Sequence, residues 1–337
     1  MKKVTIYDVA KLANCSTATV SLVFSGSPRI LPSTCQRVKE IAKQIGYTPN
    51  YIAQSLSKKS TNTIGVIIPN IDNPLFSQTI AGIESYANSK GYNLILGLSD
   101  SNRKKESFYL EMLQRERVDG LLVLPTFMDL VIEKLNPQNP AQAPVVLCGS
   151  SGNRSNISMS YAKCNNHIGA RLATNHLIET GRKRIGCIFP VFNEQQYLSR
   201  KTGYEEALAQ HNIPFDENLI KICTSDNDAI FSATQELIKE QKPDSIFCLY
   251  DYSAISVMRA IHSMGLRIPE DISVIGYDNI PISNYLPTPL STIDTRSKLV
   301  GEKAAELLVN KIMNPDTPVQ QITIEPELVV RDSTFIQ

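Results

Sequence analysis

The sequence predicts a small all-α helix-turn-helix head joined to an α/β body of two doubly wound, parallel-sheet subdomains. The first 60 residues show short helical patterns separated by capping and turn residues. The remaining residues alternate apolar, strand-like runs with amphipathic stretches, the pattern of parallel strands covered by helices on both faces. The alternation restarts near the middle of the body, so we predict two sheets with a ligand cleft between them.

The first two helices of the head are bounded by polar capping residues. Thr5 and Asp8 make a capping-box pattern, and Asn14 suits the left-handed turn that ends the first helix. Ser16 can cap a second helix over residues 17–24. A tight turn between two short helices is typical of a helix-turn-helix, and any other three-helix bundle is the alternative.

A third helix is predicted between Pro32, which suits a first helical position, and Gly46, which suits a C-cap. In a helix-turn-helix the second helix enters the major groove of DNA, and its first residues meet the base edges. Hydroxyls there can bond to several bases, and apolar groups can pack on a thymine methyl. No Arg, Asn or Gln is placed for a bidentate contact, so phosphates and DNA shape must supply much of the affinity. The residues in these positions are Thr17, Ala18, Ser21 and Leu22.

The net charge of +1 hides an asymmetry. Residues 1–60 hold nine basic and two acidic side chains, so this segment carries +7 and the rest of the chain −6. A basic head on an acidic body is the electrostatic pattern of a nucleic-acid-binding protein, with a merely solvated charged face as the alternative.

A linker over residues 49–61 joins head and body. Pro49 ends the third helix, and Asn50 could cap a helix of about two turns, which is marginal in isolation. Two such helices from a dimer could lie in the minor groove, where Leu56 would wedge between base steps and kink the DNA. The alternative is a flexible linker in which Leu56 has no role.

The body supplies the elements of the two sheets. Strands are predicted over residues 64–68, 92–98, 121–124, 144–148, 185–189, 219–223, 246–250 and 272–277. Helices are predicted over residues 76–89, 107–115, 169–180, 202–210, 229–239 and 254–264.

Composition and motifs exclude several classes of protein. The apolar runs are shorter than the roughly 20 residues of a membrane span, and the N-terminus lacks the apolar core of a secretory signal, so we expect a cytoplasmic protein. Seven scattered cysteines without a Cys-x-x-Cys pair predict no disulfide framework and no metal site. No phosphate loop, dinucleotide fingerprint or nucleophile elbow is present, so we expect neither an enzyme nor a cofactor.

Motifs along nearly the whole chain resemble the lac-repressor/gal-repressor family of bacterial transcription regulators. The head and linker motifs are specific to that family, and the body motifs are individually weaker but occur in the right order. The matching segments are Val4-Thr5-Ile6-Tyr7-Asp8-Val9-Ala10, Thr19-Val20-Ser21, Gly46-Tyr47-x-Pro49-Asn50, Ala53-x-x-Leu56, Asn62-Thr63-Ile64-Gly65-Val66-Ile67, Asp72-Asn73-Pro74-x-Phe76, Asp119-Gly120, His176-Leu177, Arg200-x-x-Gly203-Tyr204, Gly276-Tyr277-Asp278 and Leu328-Val329-Val330-Arg331.

The resemblance implies a homodimer that grips a near-palindromic operator with two heads. It implies a DNA-binding domain over 1–48, a hinge helix and linker over 49–61, and an effector-binding and dimerisation domain over 62–337 of the periplasmic-binding-protein type. The last would divide into an N-subdomain of about 62–161 and 291–321 and a C-subdomain of about 162–290 and 322–337. The implied DNA contacts are Thr5, Tyr7, Ser16, Thr17, Ala18, Ser21, Leu22, Asn50, Ala53 and Leu56.

The resemblance also implies an effector site in the cleft. Arg200 would grip ligand hydroxyls, Asp278 would accept from them, and Asn73 and Phe76 would line the near wall. Tyr250, which stands where the family often has Asn or Thr, is the fifth residue of this implied effector site. As alternatives, Arg200 could be a helix-surface charge, Asp278 a turn residue and Phe76 a core residue.

Three positions in the head depart from the family pattern. Leu22 replaces an arginine that usually reads a guanine, Ser25 replaces an asparagine, and Cys35 replaces a common arginine. The operator is therefore expected to differ from the usual one at that guanine.

These observations predict a DNA-binding transcriptional regulator, a repressor controlled by a small sugar or sugar derivative. One alternative is a regulator of the same fold that responds to a partner protein. The others are a sugar-binding protein, which the head does not fit, and a sugar-processing enzyme, for which no catalytic pair can be named.

Overall fold

The computed structural model describes residues 4–48, 60–115, 118–135, 142–149, 159–190 and 194–334. The chain forms two compact units, Met1–Asn62 and Thr63–Gln337. Residues 4–48 of the first unit form a bundle of three helices, α1 (Ile6–Leu12), α2 (Thr17–Phe24) and α3 (Pro32–Gln44).

The bundle is held by its caps and by a small aliphatic core. The predicted capping box is present, and Asp8 Oδ2 accepts from the Thr5 N–H at 2.8 Å. Asn14 has a φ of 48° and Gly46 a φ of 69°, so both helix ends turn through the left-handed region as predicted. The buried core consists of Val9, Ala10, Ala13, Val20, Val23, Val38 and Ala42.

The second unit alternates strands and helices. Its strands are β1 (Thr63–Ile68), β2 (Asn93–Leu98), β3 (Gly120–Val123), β4 (Val145–Cys148), β5 (Ser160–Cys164), β6 (Ile185–Pro190), β7 (Ile220–Cys223), β8 (Ser245–Cys248), β9 (Ser273–Ile275), β10 (Thr292–Asp294), β11 (Gln321–Ile324) and β12 (Glu327–Val329). Its α-helices are α4 (Pro74–Ser89), α5 (Arg103–Arg115), α6 (Met128–Lys134), α7 (Asn166–Glu179), α8 (Glu194–Gln210), α9 (Asn227–Gln241), α10 (Asp251–Ser263) and α11 (Ser297–Met313).

The strands form two parallel sheets, which confirms the predicted fold class. The first has the order β11-β5-β4-β3-β1-β2, and the second the order β7-β6-β8-β9. Five consecutive residues of β1, from Ile64 to Ile68, are buried, as expected for a strand with helices on both faces. A short antiparallel pair, β10 with β12, lies where the chain passes between the sheets.

The chain crosses between the two sheets three times. It leaves the first sheet after Cys164, returns through β10 to α11, and leaves again between β11 and β12. The subdomain limits that the family resemblance implies would put these crossings near residues 161, 291 and 322.

Several elements differ from the sequence prediction at their N-terminal ends. Helix α5 begins at Arg103 instead of 107, because the side chain of Asn102 accepts from the N–H groups of Lys104 and Lys105. Helix α8 begins at Glu194 instead of 202. Helical periodicity in the apolar residues does not reveal such polar first turns. Helix α6 and strand β5 were not predicted, because each is short and only partly apolar.

Helices α4 and α11 pack with their backbones in contact. A methyl group at Gly82 would lie 1.9 Å from the Lys298 carbonyl oxygen, and one at Gly301 would lie 2.1 Å from the Thr79 carbonyl oxygen. Only glycine fits at both positions, so this contact fixes α11 against the helix that begins beside the cavity described below.

The part of the chain that the structure describes contains no helix long and apolar enough to cross a bilayer. It also contains no cluster of three potential metal ligands among its His, Cys, Asp and Glu residues.

Candidate functional site

Helix α2 presents an uncharged face. Ser16 caps it, and its Oγ accepts from the Thr19 N–H at 3.1 Å. The side chains of Ala18 and Leu22 are exposed one helical turn apart, with Leu22 39% exposed. Thr17 and Ser21 flank them and are half-buried. The second helix therefore carries a hydroxyl and methyl surface and no formal charge.

Positive charge lies on the other parts of the same unit. Within residues 4–48 the acidic side chains are Asp8 and Glu40. The N-terminal end of α1 adds exposed Thr5 and Tyr7, the latter 73% exposed. The side chains suited to attract phosphates are thus different from the side chains suited to contact base edges. The exposed basic residues are Lys11, Arg29, Arg37, Lys39 and Lys43.

The predicted hinge contacts Asn50, Ala53 and Leu56 lie outside the described residues. The two departures Ser25 and Cys35 make local bonds. Ser25 Oγ donates to the Leu22 carbonyl at 3.1 Å, and Cys35 Sγ lies 3.9 Å from the Ile30 carbonyl oxygen.

The second unit contains a cleft at the carboxyl ends of the strands of both sheets, where ligands bind in such folds. It encloses about 650 Å³ including its open mouth. One wall comes from the first sheet and α4, and the other from α8 and the loop after β9. The lining residues are Pro69, Leu75, Phe76, Thr79, Leu124, Pro125, Thr126, Cys148, Gly149, Cys164, Asn166, Gln196, Arg200, Asp278, Thr295, Ser297 and Val300.

Asp278 and Arg200 form a buried charged pair in the far wall. Their side chains are 1% and 2% exposed, and Arg200 Nη2 lies 3.7 Å from Asp278 Oδ1. Neither carboxylate oxygen of Asp278 accepts a hydrogen bond from the described residues. Burial raises the pKa of Asp278 well above its ordinary value, while the Arg200 charge opposes that rise. The carboxylate is thus placed to accept donors from a ligand in the cleft.

Arg200 is held by its neighbours. Its Nε and Nη2 donate to Asn166 Oδ1 at 3.1 and 3.0 Å, and its Nη1 donates to the Leu249 carbonyl. The guanidinium also stacks 3.6 Å from the centroid of the Tyr277 ring. Three of its five N–H groups are occupied, so two are left for Asp278 or a ligand.

Tyr250 supports this wall from behind. Its ring lies 4.9 Å from the Arg200 guanidinium, and its hydroxyl donates to Gln196 Oε1 at 3.1 Å. Burial raises the pKa of the Tyr250 phenol, so the hydroxyl stays protonated and keeps Gln196 oriented at the cavity.

Phe76 and Asn73 lie at the start of α4 on the near wall. Phe76 lines the cavity and is 7% exposed. Asn73 is the N-cap of the helix, and its Oδ1 accepts from the Leu75 N–H at 3.0 Å. Of the five predicted effector residues, the structure thus brings Phe76, Arg200 and Asp278 into the cavity lining, with Asn73 and Tyr250 adjoining it.

The loop after β9 joins the cavity to the crossing strands. Asp278 and Asn279 have φ values of 112° and 53°, and strained backbone of this kind clusters at ligand sites. Asn279 accepts from Arg331 Nη2 at 2.7 Å and donates to Asp294 Oδ2 at 3.0 Å. Its carbonyl accepts from Gln78 Nε2 of α4 at 3.4 Å. These bonds connect the loop that carries Asp278 to α4 and to the segments that cross between the sheets.

Sequence reasoning missed several polar residues of the lining. Thr126 follows β3, Thr295 precedes α11, and Ser297 is the first residue of α11, so each stands at a strand or helix end where a parallel fold places its site. Gln196 lies in the unpredicted first turn of α8.

All seven cysteines are free thiols in the structure. Cys148 and Cys164 line the cavity, and burial raises the pKa of each thiol to about 12, so neither is a thiolate at neutral pH.

Family models match both units. The model described as bacterial regulatory proteins, lacI family, matches residues 5–50, and the one described as periplasmic binding protein-like domain matches residues 174–334.

Curated relatives match from end to end. The HTH-type transcriptional repressor PurR of Vibrio atlanticus (strain LGP32) is 34% identical over 330 residues, and that of Aliivibrio fischeri (strain MJ11) is 35% identical over 337 residues. In each case the match covers 98% of both chains.

Solved structures share the arrangement. A lac repressor dimer bound to operator and the anti-inducer ONPF matches with a TM-score of 0.88 at 25% identity, over 99% of this chain and 100% of the other. A complex of the transcriptional regulator CelR with cellobiose matches with a TM-score of 0.72 at 28% identity, over 98% and 100%.

Proposed function

The chain belongs to the lacI family of bacterial regulatory proteins, and we propose that it represses transcription by binding an operator as a homodimer under the control of a small sugar. The family confirms the predicted DNA-binding transcription regulator, and since the relatives are repressors, it confirms the expectation that the chain is not an enzyme. A cytoplasmic location, where a bacterial regulator meets DNA, is part of this proposal. The predicted domain limits, 1–48, 49–61 and 62–337, belong to this proposal.

The single observation that carries the effector proposal is the buried carboxylate of Asp278 with no donor among the described residues. A buried acceptor without a partner costs free energy that a ligand donor would recover, by about 1–3 kcal/mol. Adjacent hydroxyls of a sugar supply such donors, and the face of Phe76 opposite suits the C–H side of a sugar ring. The cellobiose in the CelR complex shows that a neighbour of this fold takes such a ligand.

The mechanism follows from linkage. The sugar binds between the two sheets and favours one arrangement of the subdomains, through Asp278 and the Asn279 bonds to Asp294, Arg331 and Gln78. That arrangement allows or forbids the pairing of two linker helices at the operator centre. Whether the sugar induces or co-represses depends on which arrangement it favours.

The test is the binding of the purified full-length protein to a pool of randomised, near-palindromic duplexes at about 50 and about 200 mM salt. We expect enrichment of one symmetric site with a flexible central step, and a steep loss of affinity with salt. Candidate sugars added to a thermal-unfolding assay should raise the melting temperature, since a ligand stabilises the native state by mass action. Sequence-blind binding with and without sugars would contradict the proposal. An operator without any sugar response would favour control by a partner protein.

A further inference from the structure

The uncharged face of α2 has a composition that selects what it can recognise. Ala18 and Leu22 lie at positions i and i+4, so their side chains stand on the same helix face, and both are exposed. Thr17 and Ser21 form a parallel row one residue earlier, and they are half-buried. The exposed face of this helix is therefore a ridge of methyl groups with hydroxyls along one side.

The major groove offers one apolar group that such a ridge can contact. Among the base edges there, guanine presents two acceptors, cytosine a donor and adenine one of each, whereas thymine adds the C5-methyl group. The Leu22 side chain can neither donate nor accept a hydrogen bond. A guanine or cytosine edge facing it would therefore have hydrogen-bonding groups without a partner.

The positive charge on the rest of the unit favours DNA as the molecule that contacts this ridge. The other parts of the same unit expose Lys11, Arg29, Arg37, Lys39 and Lys43, so phosphates can hold the head while α2 contributes no charge.

We propose that Leu22 and Ala18 read thymine methyl groups, so that each operator half-site carries thymine at the base pairs facing these two side chains. The proposal rests on the proposed function, because it presumes that α2 enters the major groove of an operator. It names the chemical group that sets base specificity where the head departs from its family.

The experiment removes the methyl group alone. Deoxyuridine replaces each thymine of the selected operator in turn, which leaves every hydrogen-bonding edge unchanged, and affinity is measured for the full-length dimer. We expect a loss of about fourfold for one methyl in one half-site, and about fifteenfold when it is removed from both, from the transfer of one buried methyl. Replacing cytosine by 5-methylcytosine at the same position of a cytosine-bearing operator should recover part of the loss.

Variants assign the effect to the side chain. In the Leu22→Ala variant, replacing the thymine that faces residue 22 by deoxyuridine should no longer weaken binding. Replacing the thymine that faces Ala18 should still weaken it. Leu12→Ala is the matched control, since Leu12 is a leucine of α1 that is 58% exposed, and its penalties should equal those of the unmodified protein. Leu22→Arg should shift the selected base from thymine to guanine.

The outcomes separate this inference from the proposed function. The methyl-reading role would be overturned if no deoxyuridine substitution changed the operator affinity. It would also be overturned if Leu22→Ala lost the same affinity at each substitution as the unmodified protein. Either result would leave the repressor proposal intact. Failure to enrich any operator would overturn both.

Discussion

At the scale of the residue, Asp278 sets the chemistry of the cavity. Its carboxylate is almost fully buried, and its oxygens accept nothing from the part of the chain that the structure describes. The charge is offset by Arg200 at 3.7 Å, which is itself held by Asn166 and Leu249. A buried charge with a cation nearby but without hydrogen bonds favours a ligand that donates them.

Arg200→Ala should abolish the response to the effector while leaving operator binding intact. The substitution should also lower the free energy of unfolding by about 3–5 kcal/mol, because Asp278 would stay buried without the neighbouring cation. Urea unfolding measures the stability, and the shift of melting temperature with sugar measures the response. Arg200→Met combined with Asp278→Asn should recover much of the stability but not the response. A normal sugar response in Arg200→Ala would show that the effector lies elsewhere.

The pH dependence of stability should also report Asp278. Since its pKa in the folded state is raised above the unfolded value of about 3.9, the native state binds more protons than the unfolded state between these values. The free energy of unfolding contributed by this group therefore falls as pH rises through that window, and sugar affinity rises because the ligand favours the ionised form.

Urea midpoints from about pH 5 to about pH 8 measure this slope. Asp278→Asn is the matched control and should reduce the slope of stability against pH. Part of the slope should remain, because burial also raises the pKa values of Asp251 and Glu106. Equal slopes in the two proteins would contradict the assignment.

At the scale of the element, the ends of helices place the functional side chains. The cap at Ser16 positions the exposed ridge of α2, and the cap at Asn73 positions Phe76 at the cavity. The close backbone contacts at Gly82 and Gly301 then pack α4 directly against α11, so these two helices are fixed to each other at the near wall.

Asn73→Ala should lower the free energy of unfolding by about 1 kcal/mol through loss of the cap. Asn73→Ser keeps a capping oxygen and should recover the stability. Sugar affinity in the serine variant tests the prediction that Asn73 also contacts the effector. Normal affinity would restrict its role to the cap, and a loss with normal stability would support contact.

Leu56→Ala should sharply weaken specific operator binding and spare much of the non-specific binding. The physical reason is that a side chain wedged between base steps supports a kink at one sequence, whereas phosphate attraction is independent of sequence. Titrations with the selected operator and with a scrambled duplex measure the two affinities. Unchanged specific affinity would reject the wedge.

At the scale of the whole molecule, the proposed function couples sugar binding to operator binding. If the sugar changes operator affinity by some factor, the operator must change sugar affinity by the same factor. Sugar titrations with and without saturating operator should therefore give the factor found in operator titrations with and without sugar. Typical couplings of about 1–3 kcal/mol correspond to factors of about 5–150. Unequal factors would mean that a further state or partner takes part.

Local sequence patterns were sufficient for most of the architecture. Capping residues such as Ser16 and strand-like runs such as residues 64–68 act through neighbours in the chain, so the helical head and the two-sheet body could be predicted from them. Helices with polar first turns, such as α8, lack the apolar pattern at their start. Their first turns were therefore not predicted, and Gln196 was not recognised as a residue of the site.

The family, the division into head and body, and the candidate residues Arg200 and Asp278 could all be predicted from the amino-acid sequence. The hydrogen bonds of Arg200 to Asn166 and Leu249, and the lack of a donor to Asp278 among the described residues, became visible in the folded chain. Whether a buried polar group is satisfied depends on atoms distant in sequence that folding brings within 3 Å or so of it, and no local pattern encodes that distance.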